Sequence, residues 1–173
     1  NDFCEGGSLA VAGGAATAAS IADHLTTHRY DLVVATRDHH IDPGAHFSTT
    51  PDFVHSWPTH CVAGTTGAAF HPNLGTPHFD GVFDKGEFSA AYSGFEGRDQ
   101  RLGVGLGDFL SREGVDTVEV CGIATDYCVR ATALDAAALG LNTTVLLNLT
   151  AAVDPASTSR VVDEWARAGV EVH

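Results

Sequence analysis

Cys128 follows the apolar run Val118 to Gly122 by a short turn, Ile123-Ala124-Thr125-Asp126-Tyr127, and stands at the start of a helical stretch. Aligned N–H groups at a helix start favour a thiolate over a thiol, and a tight strand-to-helix turn leaves N–H groups beside it for an oxyanion. The same position also suits a cysteine packed inertly under the helix. Upstream lies Asp38-x-His40-x5-His46, with His60 fourteen residues further on. One carboxylate and three imidazoles suit Zn, Fe, Mn or Ni and leave coordination positions for water or substrate. Spacing this loose is equally open to a polar loop rich in histidine. Lys85 is the single lysine against eight arginines. At the end of a strand it offers a compact charge with a shiftable pKa, able to stabilise a neighbouring thiolate. Cys121, inside Val-Glu-Val-Cys-Gly, is expected to be a small core hydrophobe.

The elements that must position these groups follow from periodicity. Ala18, Ile21, Ala22 and Leu25 at helical spacing predict a helix over residues 14–28. The apolar run Asp31 to Thr36 predicts a strand buried on both faces. Residues 37–80 show no sustained period and hold seven of the ten histidines, and a loop of that length inside a domain is usually functional. Gly81-Val82-Phe83 predicts a brief strand ending at Asp84-Lys85-Gly86, and Leu102 to Glu113 a helix capped by Gly114. Strands are predicted at 118–122 and 143–147, with a helix between them that Gly140 stops. Asp154-Pro155 opens a helix closing at Gly169, before a last strand at 170–172. Strands alternating with helices predict a three-layer α/β/α arrangement around a mainly parallel sheet, in one domain spanning residues 1–173. Ligands bind such sheets beyond the carboxyl ends of the strands, where Asp38 to His46, Lys85 and Ala124 to Cys128 all fall.

Composition narrows the partners. A net charge of −13 repels phosphate backbones, so nucleic acid is not an expected partner. No apolar run approaches a membrane span, and none is expected to enter a membrane. Four cysteines could form two disulfides in a secreted protein, but a domain with this much core favours free thiols in a reducing cytoplasm, and without a Cys-x-x-Cys pair a thioredoxin-like redox role has little support. The chain contains no Met and begins Asn-Asp-Phe-Cys, so residues ahead of Asn1 are expected in the translated protein.

Six motifs in order, Asn1-Asp2-Phe3-Cys4-Glu5-Gly6-Gly7-Ser8-Leu9, Asp38-His39-His40-Ile41-Asp42-Pro43-Gly44, Ser56-Trp57-Pro58-Thr59-His60-Cys61, Phe83-Asp84-Lys85-Gly86, Tyr92-Ser93-Gly94-Phe95 and Gly122-Ile123-Ala124-Thr125-Asp126-Tyr127-Cys128-Val129, together resemble the nicotinamidase/pyrazinamidase family of isochorismatase-like cysteine hydrolases. The resemblance implies Cys128 as nucleophile, Lys85 as its charged partner, and Asp38, His40, His46 and His60 around one divalent metal ion, Zn2+, Fe2+ or Mn2+. It implies a cis peptide between Ile123 and Ala124, an oxyanion hole at the N–H groups of Ala124 and Cys128, and a ring pocket lined by Phe3, Trp57, Ile123 and Ala124. The implied substrate is a small aromatic carboxamide, nicotinamide or pyrazinamide, hydrolysed through a thioester in NAD salvage by a cytoplasmic monomer or small homo-oligomer. Tyr127 stands where the family also shows His. The family's first strand, with its catalytic Asp, is expected ahead of Asn1. Carbamoyl amidases of this superfamily lack the Asp-x-His…His…His set and isochorismatases lack the nucleophilic cysteine, so both sets together favour the nicotinamidases. An inactive metal-binding protein of the same fold is the competing reading.

Overall fold

In the computed structural model, which describes all of residues 1–173, β1 (Val34–Asp38) and β2 (Gly81–Lys85) run parallel, from Val34 opposite Gly81 to Asp38 opposite Lys85. That register sets two oppositely charged residues side by side at the carboxyl ends. β2 pairs antiparallel with β3 (Arg98–Asp99), which pairs with β4 (Val104–Gly105), so one sheet has the order β1-β2-β3-β4. A second, parallel sheet has the order β5 (Thr117–Ile123), β6 (Asn142–Ala151) and β7 (Glu171–Val172). The expected sheet is therefore present in two parts, and β1 and β5 each end their sheet with one edge unpaired.

Alternation along β5 and β6 assigns the layers. Val120, Val145 and Leu147 meet Val129, Ala133, Val161, Trp165 and Val170 in a core under α3 (Arg130–Ala138) and α4 (Thr158–Arg167). Val118, on the same face, joins a second core with Phe83, Leu106, Phe109 and Leu110, which brings in α2 (Leu106–Arg112). α1 (Gly14–Thr27) packs against β5 and β6 from the other side. Arg130 ties α3 to α4 through bonds of 2.7 and 2.5 Å to the Glu164 carboxylate.

Several boundaries differ from the sequence expectation. β1 starts at Val34 because its pairing begins there, and it runs on to Asp38. α2 starts at Leu106 because residues 104–105 are drawn into β4, a two-residue strand too short to leave an alternation signal. β6 continues to Ala151 past a register shift between Val120 and Gly122 on its partner. The Asp154 cap is present, with Oδ1 accepting from the Ala156 N–H at 3.0 Å, but it opens a 3-10 turn over Pro155–Ser157 before α4. Trp165 is fully buried at the centre of the first core. Trp165→Ala is expected to lower stability by about 3–5 kcal/mol in denaturant unfolding, and a loss below about 1 kcal/mol would show that the core does not rest on it.

Candidate active site

The carboxyl ends of β1, β2 and β5 lead to Asp38, Lys85 and Cys128. Lys85, buried at the end of β2, donates from Nζ to Asp38 Oδ1, to the Ala91 carbonyl at 3.1 Å and to Cys128 Sγ at 3.5 Å. Burial opposes the charge on Lys85, yet Asp38 and Cys128 raise it above the ordinary lysine range. Burial likewise opposes the Asp38 charge, but Lys85, His40 and His60 hold the carboxyl well below its usual range. Both groups are therefore charged at neutral pH.

Cys128 lies in a π-helical turn, Thr125–Val129, that leads into α3. The Ile123–Ala124 peptide ahead of it is cis. Burial pushes the Cys128 thiol above its ordinary value, while Lys85 and the Ala124 N–H pull it back toward the thiolate. Desolvation thus outweighs the helix-start effect expected from sequence. Burial pushes the Cys121 thiol up to about 11, with Glu119 adding to the shift. Cys121 is half-buried on β5. Of the four free thiols, Cys128 alone is hydrogen-bonded to the ammonium.

The long irregular segment is rigid where it matters. His40 and Val62 form a parallel bridge, with His40 N–H on the Cys61 carbonyl at 2.9 Å and Ala63 N–H on the His40 carbonyl at 2.8 Å. A second bridge joins Phe47 to Trp57, with Trp57 N–H on the His46 carbonyl at 2.8 Å. These ladders bring His40, His46 and His60, all buried, to one point, with their ligand atoms within 4.8 Å of one another. His40 Nδ1 donates to the Gly86 carbonyl at 2.6 Å and His60 Nδ1 to the Pro58 carbonyl at 2.7 Å, which turns each Nε2 toward the cluster. Asp38 Oδ2 completes the group at 3.6 Å from His40 Nε2 and 3.7 Å from His60 Nε2. Buried His40 Nε2 and His46 Nδ1 have no hydrogen-bond partner, the signature of donors arranged for an ion. Burial, then His40 and His60, lowers His46 to about 4, so it is neutral and ligand-competent at neutral pH. The residues fit a metal ion. Of the remaining loop histidines, His39 turns to Glu87 at 3.3 Å and His71 accepts from the Asn73 N–H at 3.2 Å.

Between the histidines and Cys128 opens an apolar pocket lined by Phe3, Trp57 and Ala124, as expected, and also by Leu9, Tyr92, Tyr127 and Val153. Ile123 is not among its walls; as the last residue of β5 it is spent in pairing with Ala151. Phe3 is fixed through its neighbour, since Asp2 Oδ2 accepts the Cys61 N–H at 2.7 Å, and its ring lies 5.5 Å from that of His60. Trp57 donates from Nε1 to the Tyr92 hydroxyl at 3.0 Å and meets the Tyr127 ring edge-on at 5.0 Å. The expected aromatic wall is thus larger than Phe3 and Trp57. Tyr92 comes from an irregular stretch with no periodic signal, although it lies inside a motif that the sequence displays.

A charged lysine on a cysteine at a strand-to-helix turn, beside a histidine cluster and an apolar slot, is the arrangement that a metal-associated cysteine hydrolase needs. The chain belongs to the isochorismatase family, whose domain matches residues 1–173. It is 56% identical over 173 residues to the nicotinamidase/pyrazinamidase of Mycobacterium tuberculosis, covering 99% of this chain and 92% of that one. Among solved structures it is similar to PnC1 of L. infantum in complex with nicotinate, at 36% identity and TM-score 0.84 over 98% of this chain and 85% of that chain. It is also similar to the pyrazinamidase of Pyrococcus horikoshii in complex with zinc, at 33% identity and TM-score 0.83 over 99% of this chain and 92% of that chain. Replacing His60 by Ala is expected to reduce zinc retained after dialysis, measured by atomic emission; retention equal to that of the unaltered chain would remove His60 from the ligand set.

Proposed function

We propose that this chain is a nicotinamidase/pyrazinamidase that hydrolyses nicotinamide to nicotinate and ammonia in NAD salvage. The observation that carries the reading is the joint placement of Cys128, Lys85 and the Asp38–His40–His46–His60 cluster around one apolar pocket. Identity to the M. tuberculosis enzyme across the whole chain supports it.

The reaction divides into two halves. Lys85, held by Asp38 and the Ala91 carbonyl, keeps a positive charge beside Sγ and stabilises the thiolate. The thiolate attacks the carboxamide carbon of a ring held by Phe3, Trp57 and Ala124. The N–H groups of Ala124 and Cys128 take up the oxyanion. The C–N bond breaks, and nitrogen leaves as ammonia with the proton that the thiol gave up. Water then cleaves the thioester, releasing the carboxylate and restoring Cys128. Asp38, His40, His46 and His60 would hold one divalent ion, Zn2+, Fe2+ or Mn2+, which supplies a Lewis-acidic anchor for a ring nitrogen. Pyrazinamide has the same carboxamide and a nitrogen at the equivalent ring position, so it is expected to turn over as well. Residues 1–173 belong to one catalytic domain on this reading, and the four free thiols support a reducing, cytoplasmic setting. No helix is long and apolar enough to cross a membrane.

Ammonia release from nicotinamide tests the reading. Cys128→Ala is expected to lower kcat by at least about 1,000-fold, whereas Cys121→Ala keeps kcat and loses roughly 1 kcal/mol or less of stability. Equal catalytic loss at both cysteines would overturn the assignment of Cys128. Chelation is expected to abolish turnover and added zinc to restore it; undiminished turnover after complete metal removal would contradict the role given to the histidine cluster.

A further inference from the structure

The nucleophile and one wall of its pocket come from different strands, and the ladder that aligns those strands stops short of both. β5 and β6 pair as far as Ile123 opposite Ala151. Cys128 lies five residues past that last pair on one strand, and Val153 two residues past it on the other. Beyond the ladder, side chains join the two segments. Thr125 Oγ1 donates to Thr150 Oγ1 at 2.8 Å, which donates onward to the Leu147 carbonyl at 2.9 Å. Asp126 Oδ1 accepts the Val153 N–H at 2.9 Å, and Oδ2 accepts the Asp154 N–H at 2.8 Å and the Ser157 hydroxyl at 3.3 Å.

Asp126 is 8% exposed and forms no ion pair, so its two oxygens are met chiefly by the Val153 and Asp154 N–H groups of the segment opposite, the Ser157 hydroxyl being closer to the Asp154 carbonyl at 2.7 Å. Capping of the Pro155–Ser157 turn does not explain it, because Asp154 already supplies the local cap through the Ala156 N–H. The bond to the Val153 N–H lies outside that cap. Val153 lines the same pocket as Cys128 and Ala124, and at 43% exposed it has little packing on its outer side to hold it there. Its place depends on its backbone.

We propose that Asp126 is a positioning residue for the amide hydrolysis, setting the distance between Cys128 and the Val153 wall so that the aromatic ring is gripped beside the thiolate. The inference rests on the nicotinamidase reading above. It assigns Asp126 no contact with the substrate and no proton to move. An Asn at this position accepts through one oxygen only, so one of the two backbone N–H groups loses its acceptor.

The test is a double-mutant cycle on metal-loaded protein, with steady-state ammonia release from nicotinamide as the readout. Asp126→Asn is expected to raise KM roughly three- to ten-fold with kcat changed less than about two-fold, the pattern of lost ring binding. Val153→Ala moves KM in the same direction. Because Asp126 acts through Val153, the double variant is expected to have a KM within about two-fold of the larger single effect. An unchanged KM in Asp126→Asn, a fall in kcat at constant KM, or single effects that multiply in the double variant would each overturn the proposal. Where circular dichroism shows Asp126→Asn unfolded, Asp126→Glu, which keeps both acceptor oxygens but displaces them by a methylene, takes its place in the cycle under the same criteria. Full-length protein, with the residues ahead of Asn1, that binds metal but releases no ammonia would overturn the functional reading instead.

Discussion

A lysine ammonium buried at the end of β2 is the constraint around which the rest is arranged. An isolated buried charge is too costly to keep, and removing one partner of a buried pair costs about 3–5 kcal/mol. The partner is Asp38, brought opposite Lys85 by the parallel register of β1 and β2. Asp38 has two oxygens and uses them in two directions: Oδ1 meets Lys85, and Oδ2 faces His40 and His60. One carboxylate therefore couples the histidine cluster to the ammonium, and the ammonium couples both to Cys128. On the proposed mechanism, the positive charge that a Cys128 thiolate needs is set by the strand register of β1 and β2.

The segment between β1 and β2 shows how a chain with no periodicity becomes a rigid support. Two short parallel bridges, His40 to Val62 and Phe47 to Trp57, fold it back on itself. Each bridge carries a functional side chain at its end, and each histidine with a backbone acceptor has its other nitrogen turned inward. Trp57, pinned by Tyr92, connects that support to the pocket wall. Preorganisation of this kind lets ring binding contribute to orientation with little ordering cost at the moment of reaction.

Much of this was legible in the residues. The helix at 14–27 and the strand-turn-helix around Cys128 follow from apolar periodicity, and the isolated lysine at a strand end marked itself by composition. The two-residue strands β3 and β4 were not legible, because pairing over two residues leaves no alternation. Nor was the division into two sheets, which depends on edges far apart in sequence. Asp38, His40, His46 and His60 were visible as types, and the family resemblance supplied their grouping; spacing alone left a solvated loop equally open. Tyr92 and Tyr127 lie inside displayed motifs, but like Val153 they reach the pocket through tertiary packing, which local periodicity does not show. The thiol shift also ran against the helix-start expectation, since that argument counts dipoles and omits the burial that outweighs them.

On the proposed mechanism the Lys85 charge, fixed by Asp38, makes Cys128 nucleophilic. The rate of Cys128 alkylation by iodoacetamide at neutral pH, followed by peptide mass spectrometry, measures this directly in the unaltered chain and in Lys85→Met. Loss of the ammonium is expected to slow alkylation of Cys128 by about ten-fold or more while leaving Cys121 unchanged; equal Cys128 rates in the two proteins would show that the ammonium does not activate the thiol.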